Sequence, residues 1–302
     1  MYVPDFDYYS PSTLEEACGV LGGLGEGARV LAGGTDLLHM MKNELLTPKA
    51  LVSLKNIRNL GEIKYDPGKG VVLGARATHN DLVNSLLLQQ KYPAVPETAH
   101  QMANNQVRNL GTVGGNLVNA VPSADLPPIL IALRAYVNLV SPRGKRTMDL
   151  EDFFLGPRKT AIGRDEILTS VVIPDQPSTG SWYCKFGLRR SGALAVVGVA
   201  VSVVADGLHV QSGRIVLGAV YPTPLRAKEA ERLLAGGIAT EALLEEVGRA
   251  AAAECRPISD TRASDEYRRD MVRVFTKRAL RKALKIESAT TEGGNGNGIH
   301  AG

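Results

Sequence analysis

Apolar positions first recur at helical spacing after Ser12-Thr-Leu-Glu15, where Leu14, Ala17, Cys18 and Leu21 share one face. The Ser12/Glu15 spacing reads as a capping box. Residues 28–31 read as a buried strand that ends at a glycine turn, Ala32-Gly-Gly-Thr-Asp36. A helical pattern at 37–42 and a β-rich strand at 50–54 follow. Residues 71–75 form the next predicted strand, and Thr78-His-Asn-Asp-Leu82 opens a helix with hydroxyl and acidic residues suited to its first turn. The apolar period over 93–105 predicts one continuous helix, and 125–133 another, whose Pro127 and Pro128 are tolerated in the first turn. Strands are predicted at 136–140 and 166–173, with a hairpin turn at Pro142-Arg-Gly-Lys145.

The pattern changes at Asp175-Gln-Pro-Ser-Thr-Gly180, which reads as a linker. Beyond it come strands at 181–185, 195–204 and 208–220, the last two joined by Ala205-Asp-Gly207, a strong hairpin signal. Three or four helical segments then run to about residue 284. Strands followed by helices describe a small α+β unit. The chain is therefore divided into lobes at 1–55 and 56–175, an α+β domain at 176–286, and a polar tail at 287–302 expected to be disordered.

Composition narrows the function. Hydrophobic residues make up 44% of 302, a globular balance, and the net charge of +4 gives nucleic-acid or anionic-membrane binding no support. No apolar run approaches the roughly 18 residues of a membrane span. The start of the sequence carries no secretory pattern, so a cytoplasmic location is expected. Cys18, Cys184 and Cys255 lie far apart, and the five histidines show no ligand spacing, so no metal site is expected in this chain. The basic stretches 226–232 and 262–281 interleave acids and read as solvated helix faces.

The chemistry concentrates in Gln106-Val-Arg-Asn-Leu-Gly-Thr-Val-Gly-Gly-Asn116. Gly111, Gly114 and Gly115 admit positive φ and let backbone N–H groups converge without a Cβ in the way, an anion nest suited to phosphate. Gly33 and Gly34 form a second such turn, and two phosphate-type loops in one chain point to a dinucleotide. Neither loop has the G-x-G-x-x-G of a Rossmann site. Thr35 and Thr112 add hydroxyl donors, and Asn116 both donates and accepts. Arg108 has two readings, pairing with a phosphate or bracing the loop through backbone carbonyls.

With Val30-Leu-Ala-Gly-Gly-Thr-Asp-Leu37, the long glycine motif and Ala120-Val-Pro-Ser-Ala-Asp125, the chain resembles the FAD-binding medium subunit of the molybdenum hydroxylases, the xanthine dehydrogenase and carbon monoxide dehydrogenase family. The resemblance spans about residues 4–284. It implies an α+β fold: a two-lobed FAD-binding domain of the p-cresol methylhydroxylase (vanillyl-alcohol oxidase) type, then a small α+β domain with a three-stranded sheet and helices. It implies FAD contacts from Val30, Leu31, Ala32, Gly33, Gly34, Thr35, Asp36 and Leu37, and from Gly111, Thr112, Val113, Gly114, Gly115 and Asn116. It also implies contacts from Met102, Asp125, Leu168 and Lys185.

Bland readings stand beside these. The Asp36 side chain caps the next helix; Asp125 either accepts from a ribose hydroxyl or caps the helix at Pro127. Lys185 lies by the flavin ring or is a solvated strand lysine, and Met102 and Leu168 touch the cofactor or are core. Many relatives carry an acid a few positions after the Lys185 motif, where this chain has Ser191-Gly-Ala-Leu-Ala195. By resemblance the chain passes electrons from 2Fe–2S clusters on a small subunit, fed by a molybdenum-bearing large subunit, to NAD(P)⁺ or another acceptor, in a dimer of heterotrimers. No residue is expected to act as a catalytic acid or base. The alternative is a self-contained FAD-dependent oxidoreductase that binds its own small organic substrate.

Overall fold

In the computed structural model, residues 3–189 and 191–286 are described. The expected tail at 287–302 lies outside them.

The first lobe is a parallel sheet of three strands, in the order Asp7–Tyr9, Ala50–Ser53, Ala28–Leu31. Parallel strands need crossovers, and the helix Leu14–Leu24 links the two outer strands. It buries Ala17, Cys18 and Leu21 against the sheet, the face the sequence pattern marks. Its cap lies one residue later than expected: Thr13 accepts from the Glu16 amide at 3.1 Å, and the Glu16 carboxylate accepts from the Ser12 amide at 2.8 Å.

The second lobe is an antiparallel sheet of five strands, ordered Ile63–Asp66, Gly70–Gly74, Ile167–Ile173, Tyr136–Ser141, Gly144–Asp149. Its central strand comes last in the chain. Val171 and Ile173 from that strand, Val71 and Leu73 beside it, and the buried helix Leu126–Ala132 build the largest core. The continuous helix expected over 93–105 is instead two, Ala94–His100 and Asn105–Arg108. Ala103 sits at φ 43° between them, and Asn104 caps the second by accepting from Val107 N at 2.9 Å.

The third unit is an antiparallel sheet of Gly180–Phe186, Val197–Asp206, His209–Gly218 and Leu225–Arg226. Four strands, not the expected three, are present; the fourth has two residues, too few for any hydropathy pattern to mark. Strand alternation divides its side chains between two cores. Val199, Val201, Val203 and Leu217 pack with helices Lys228–Leu234, Glu241–Glu254 and Asp265–Ala283. Tyr183, Ala200 and Val216 face the other way and join the core of the second lobe.

The solvated reading of the basic stretches fails at two arginines. Arg226 is held by Glu231 and Glu151. Arg268 is 1% exposed and donates to Asp260 at 2.7 Å and to the carbonyls of Val196 and Ala219 at 2.9 and 3.4 Å. Arg268→Met keeps the stem but strands those carbonyls, so it is expected to lower stability by about 2 kcal/mol in urea denaturation. A midpoint equal to the parent's would show that the strap contributes nothing.

Candidate functional site

A cavity of about 420 Å³ opens between the first two lobes. Both glycine turns reach it, and the reason they are glycine differs from expectation. Only Gly34 is left-handed, at φ 73°; Gly111, Gly114 and Gly115 are absent from the positive-φ set. Those three begin the helix Val113–Asn119 or precede it, and they are small because the backbone is crowded. A Cβ on Gly114 would lie 2.9 Å from the Ala75 carbonyl oxygen, and one on Gly111 would lie 3.0 Å from the His79 ring. Gly33 is tightest: its Cβ would fall 1.8 Å from the carbonyl oxygen of Leu110. The two turns are stacked on each other, backbone on backbone.

Of the two expected anion nests, the first turn has the more open amides. In the second motif, from Gly111 to Asn116, most amides are already used, and only that of Thr112 lacks a protein acceptor among the described residues. Val113 N donates to Ala77 O, Gly114 N to Ala75 O and Gly111 N to Val107 O, at 2.9, 2.8 and 2.7 Å. Gly115 N donates to the capping hydroxyl of Thr112 at 3.1 Å. In the first turn, the amides of Gly33, Gly34, Thr35, Asp36 and Leu37 donate to no protein acceptor among the described residues. Free amides around a left-handed glycine are the donor set that an anionic group needs. The second motif is the support, and Thr112 its clamp. Thr112→Val removes the cap and is expected to cost about 1 kcal/mol in chemical denaturation; an unchanged midpoint would show the helix holds without it.

Of the residues singled out in the sequence, Val30, Ala32, Gly33, Gly34, Thr35, Asp36 and Leu37 line the cavity on one side. Gly111, Thr112, Gly114, Gly115 and Asn116 line it on another, and Leu168 borders it from the central strand. Leu31 and Val113 stand behind this wall, Val113 fully buried. Asp36 does not cap its helix, because it already has helical backbone (φ −93°, ψ −47°); its side chain is exposed. Arg108 braces: it donates to the carbonyls of His100 and Met102 at 3.2 and 2.8 Å and to Asn80 at 3.1 Å.

Met102, Asp125 and Lys185 lie outside this cavity, and the last two are brought together. The Lys185 ammonium donates to Asp125 Oδ2 at 2.8 Å and to the Gln101 carbonyl at 3.2 Å. The Tyr183 hydroxyl donates to Asp125 Oδ1 at 2.7 Å. Lys185 and Asp125 side chains are each 8% exposed, so neither the solvated-lysine nor the helix-cap reading holds. Burial pushes the Asp125 carboxyl up, against the pull of Lys185 and Tyr183, and drives the Tyr183 hydroxyl well above its ordinary range. Lys185 also lines a second hollow of about 400 Å³ with Gln101, Phe186, Arg189 and Ala193.

Two buried polar atoms at the first cavity have no protein partner, Asn116 Oδ1 and His79 Nδ1. Sequence patterns mark Asn116 but not His79, which reaches the wall through the bridge pairing Thr78 with Thr112. Arg158, which donates to Asn119 at 3.0 Å, is a second cavity residue without a sequence signal. Glu166 lines the cavity too, its carboxyl held below the usual range by Arg146, with both contacts at 2.7 Å.

A two-lobed fold with a cavity at stacked glycine turns, open amides and orphaned polar atoms fits a dinucleotide-binding protein. Comparison with known proteins agrees. Residues 4–176 match the FAD binding domain in molybdopterin dehydrogenase, and 182–283 the CO dehydrogenase flavoprotein C-terminal domain. The carbon monoxide dehydrogenase medium chain of Hydrogenophaga pseudoflava is 35% identical over 94% of this chain and 98% of its own length. A xanthine dehydrogenase FAD-binding subunit of Escherichia coli O157:H7 is 29% identical over 92% of this chain and 95% of its own. The solved carbon monoxide dehydrogenase of H. pseudoflava superposes with a TM-score of 0.91 at 36% identity, covering 94% and 99% of the two chains. Quinoline 2-oxidoreductase from Pseudomonas putida 86 gives 0.89 at 30% identity, with the same coverage. The chain belongs to the FAD-binding medium subunits of the molybdenum hydroxylase family, and its cofactor is FAD.

Proposed function

We propose that this chain is the electron-transfer subunit of a three-part molybdenum hydroxylase, receiving electrons from 2Fe–2S clusters on a small partner and delivering them to NAD(P)⁺ or another acceptor. The observation that carries the reading is the cavity wall of free amides at Gly33 to Leu37, stacked on the motif at Gly111 to Asn116. Bound flavin supplies the redox chemistry, since it accepts electrons singly and releases them in pairs. The chain's own residues bind and orient. The amides of the first turn hold anionic phosphate, and Asn116 Oδ1 accepts from a cofactor hydroxyl. Met102, Asp125, Leu168 and Lys185 belong to the same assignment, Leu168 at the cavity and the others outside it. Each Asp125 oxygen keeps a lone pair beyond its present bond, free for a sugar hydroxyl.

The working form is a dimer of heterotrimers with a molybdopterin-binding large subunit. No helix among the described residues is long and apolar enough to cross a membrane, and we place the complex in the cytoplasm. The test is stopped-flow reduction. Purified with its partners, the FAD of this chain should bleach when the large subunit's substrate is added, and separation of the small subunit should abolish the bleaching. Purified alone, the chain should hold FAD and turn over no organic substrate. Substrate-dependent reduction of the isolated chain would favour a self-contained oxidoreductase.

A further inference from the structure

His79 lines the cavity, and the preceding assignment leaves its side chain unused. It is the first residue of the helix His79–Asn84 and is 4% exposed, yet its ring lines the cavity. Its backbone is fully used: Thr78 caps the helix in a capping box, and the His79 amide donates to Gly111 O at 3.0 Å. Its side chain is the opposite. Neither ring nitrogen bonds the protein among the described residues, and Nδ1 is sealed from solvent without a partner. A sealed Nδ1 can take no ligand, so Nε2, which has no protein partner and is not sealed, is the ring atom left to meet one.

Its position says what Nε2 meets. Nε2 lies beside Gly111, 3.1 Å from where a Cβ on that glycine would sit. Gly111 in turn abuts Gly33, whose Cβ would lie 3.3 Å from the Gly111 Cα. Gly111 thus neighbours both the ring and the Gly33 turn. The surroundings of the ring disfavour an imidazolium. Burial, and to a lesser extent Arg108 on the neighbouring helix, push its pKa down to about 4. Asp81 on its own helix is engaged with the Thr78 amide, and Glu97 and His100 on the helix Ala94–His100 are exposed. Asp36, Arg158 and Glu166 stand around the cavity. A neutral ring carries one N–H; on Nε2 it sits on the nitrogen beside Gly111.

We propose that His79 is a cofactor ligand, its Nε2–H donating to a phosphate oxygen of FAD beside the Gly33 turn. The assignment rests on FAD occupying this cavity. It makes His79 a neutral donor that adds to the amides without adding charge, and it explains why Gly111 must be glycine: a Cβ there would press on the imidazole.

The test uses the full chain stripped of flavin and titrated with FAD by fluorescence quenching, alongside His79→Gln and His79→Leu. The leucine variant should bind about tenfold more weakly, the loss expected for one buried donor, and the glutamine variant, which keeps an N–H, should recover most of that affinity. The ³¹P resonances of bound FAD should shift in both variants while the flavin absorption stays as in the parent. Parent affinity and unshifted ³¹P resonances in His79→Leu would overturn the proposal and leave the cofactor reading intact. If His79→Leu does not fold, unshifted ³¹P resonances in His79→Gln would overturn it equally. A parent chain that takes up no FAD would end both.

Discussion

Gly33→Ala is expected to yield a chain that purifies colourless, its affinity for FAD reduced by at least about 100-fold. The added methyl would lie 1.8 Å from the Leu110 carbonyl oxygen and 2.7 Å from its carbon. Both are backbone atoms, so no rotamer change relieves the clash, and the two glycine turns must separate. Overpacking of this kind costs about 1–3 kcal/mol of stability. The larger effect is on binding, because the free amides of the first turn are aligned by the contact that would be lost. Gly34→Ala is a useful contrast. It pays for a left-handed backbone at φ 73°, about 1 kcal/mol, but its Cβ meets only the side chains of Leu31 and Leu38, which can move. The flavin-to-protein ratio and a melting curve for both variants decide the matter. Full FAD content in Gly33→Ala would show that the stacking of the turns is incidental.

The second large effect is expected at Asp125. Removing its carboxylate leaves the Lys185 ammonium, 8% exposed, with a backbone carbonyl as its only protein acceptor among the described residues, and takes the acceptor of the buried Tyr183 hydroxyl. Breaking one side of a buried pair costs about 3–5 kcal/mol, so Asp125→Ala should lose that much in chemical denaturation. The penalty belongs to the stranded cation more than to the lost bond. Asp125→Ala combined with Lys185→Met should therefore be more stable than Asp125→Ala alone. If the double variant is no better, the pair is not what the buried carboxylate stabilises.

What could be read from the sequence follows the range of the interactions. Strands at Gly70–Gly74, Ile167–Ile173 and Val197–Asp206 are legible because buried sheet interior demands β-branched and apolar residues. The edge strands Ile63–Asp66 and Leu225–Arg226 are not, since one is largely exposed and the other has two residues. The glycine motifs located the cavity, but for a mistaken reason. Positive φ can be guessed from a local pattern; a backbone carbonyl of Leu110 pressing on Gly33 cannot, because the two are far apart in the chain. The same holds for the pairing of Asp125 with Lys185, 60 residues on. His79 was hidden for that reason too: its place in the wall depends on Thr78 meeting Thr112.

The position of Ile167–Ile173 between Gly70–Gly74 and Tyr136–Ser141 has a temporal consequence. Leu168 of this strand borders the cofactor cavity, and Ile167 belongs to the core of the first lobe. As the chain leaves the ribosome, both glycine motifs emerge well before the strand that closes the sheet behind them. Strand pairs this distant in sequence form slowly. The binding site thus stays unfinished until more than half of the chain has been made, and a nascent polypeptide carries its flavin motifs in the open until the central strand arrives.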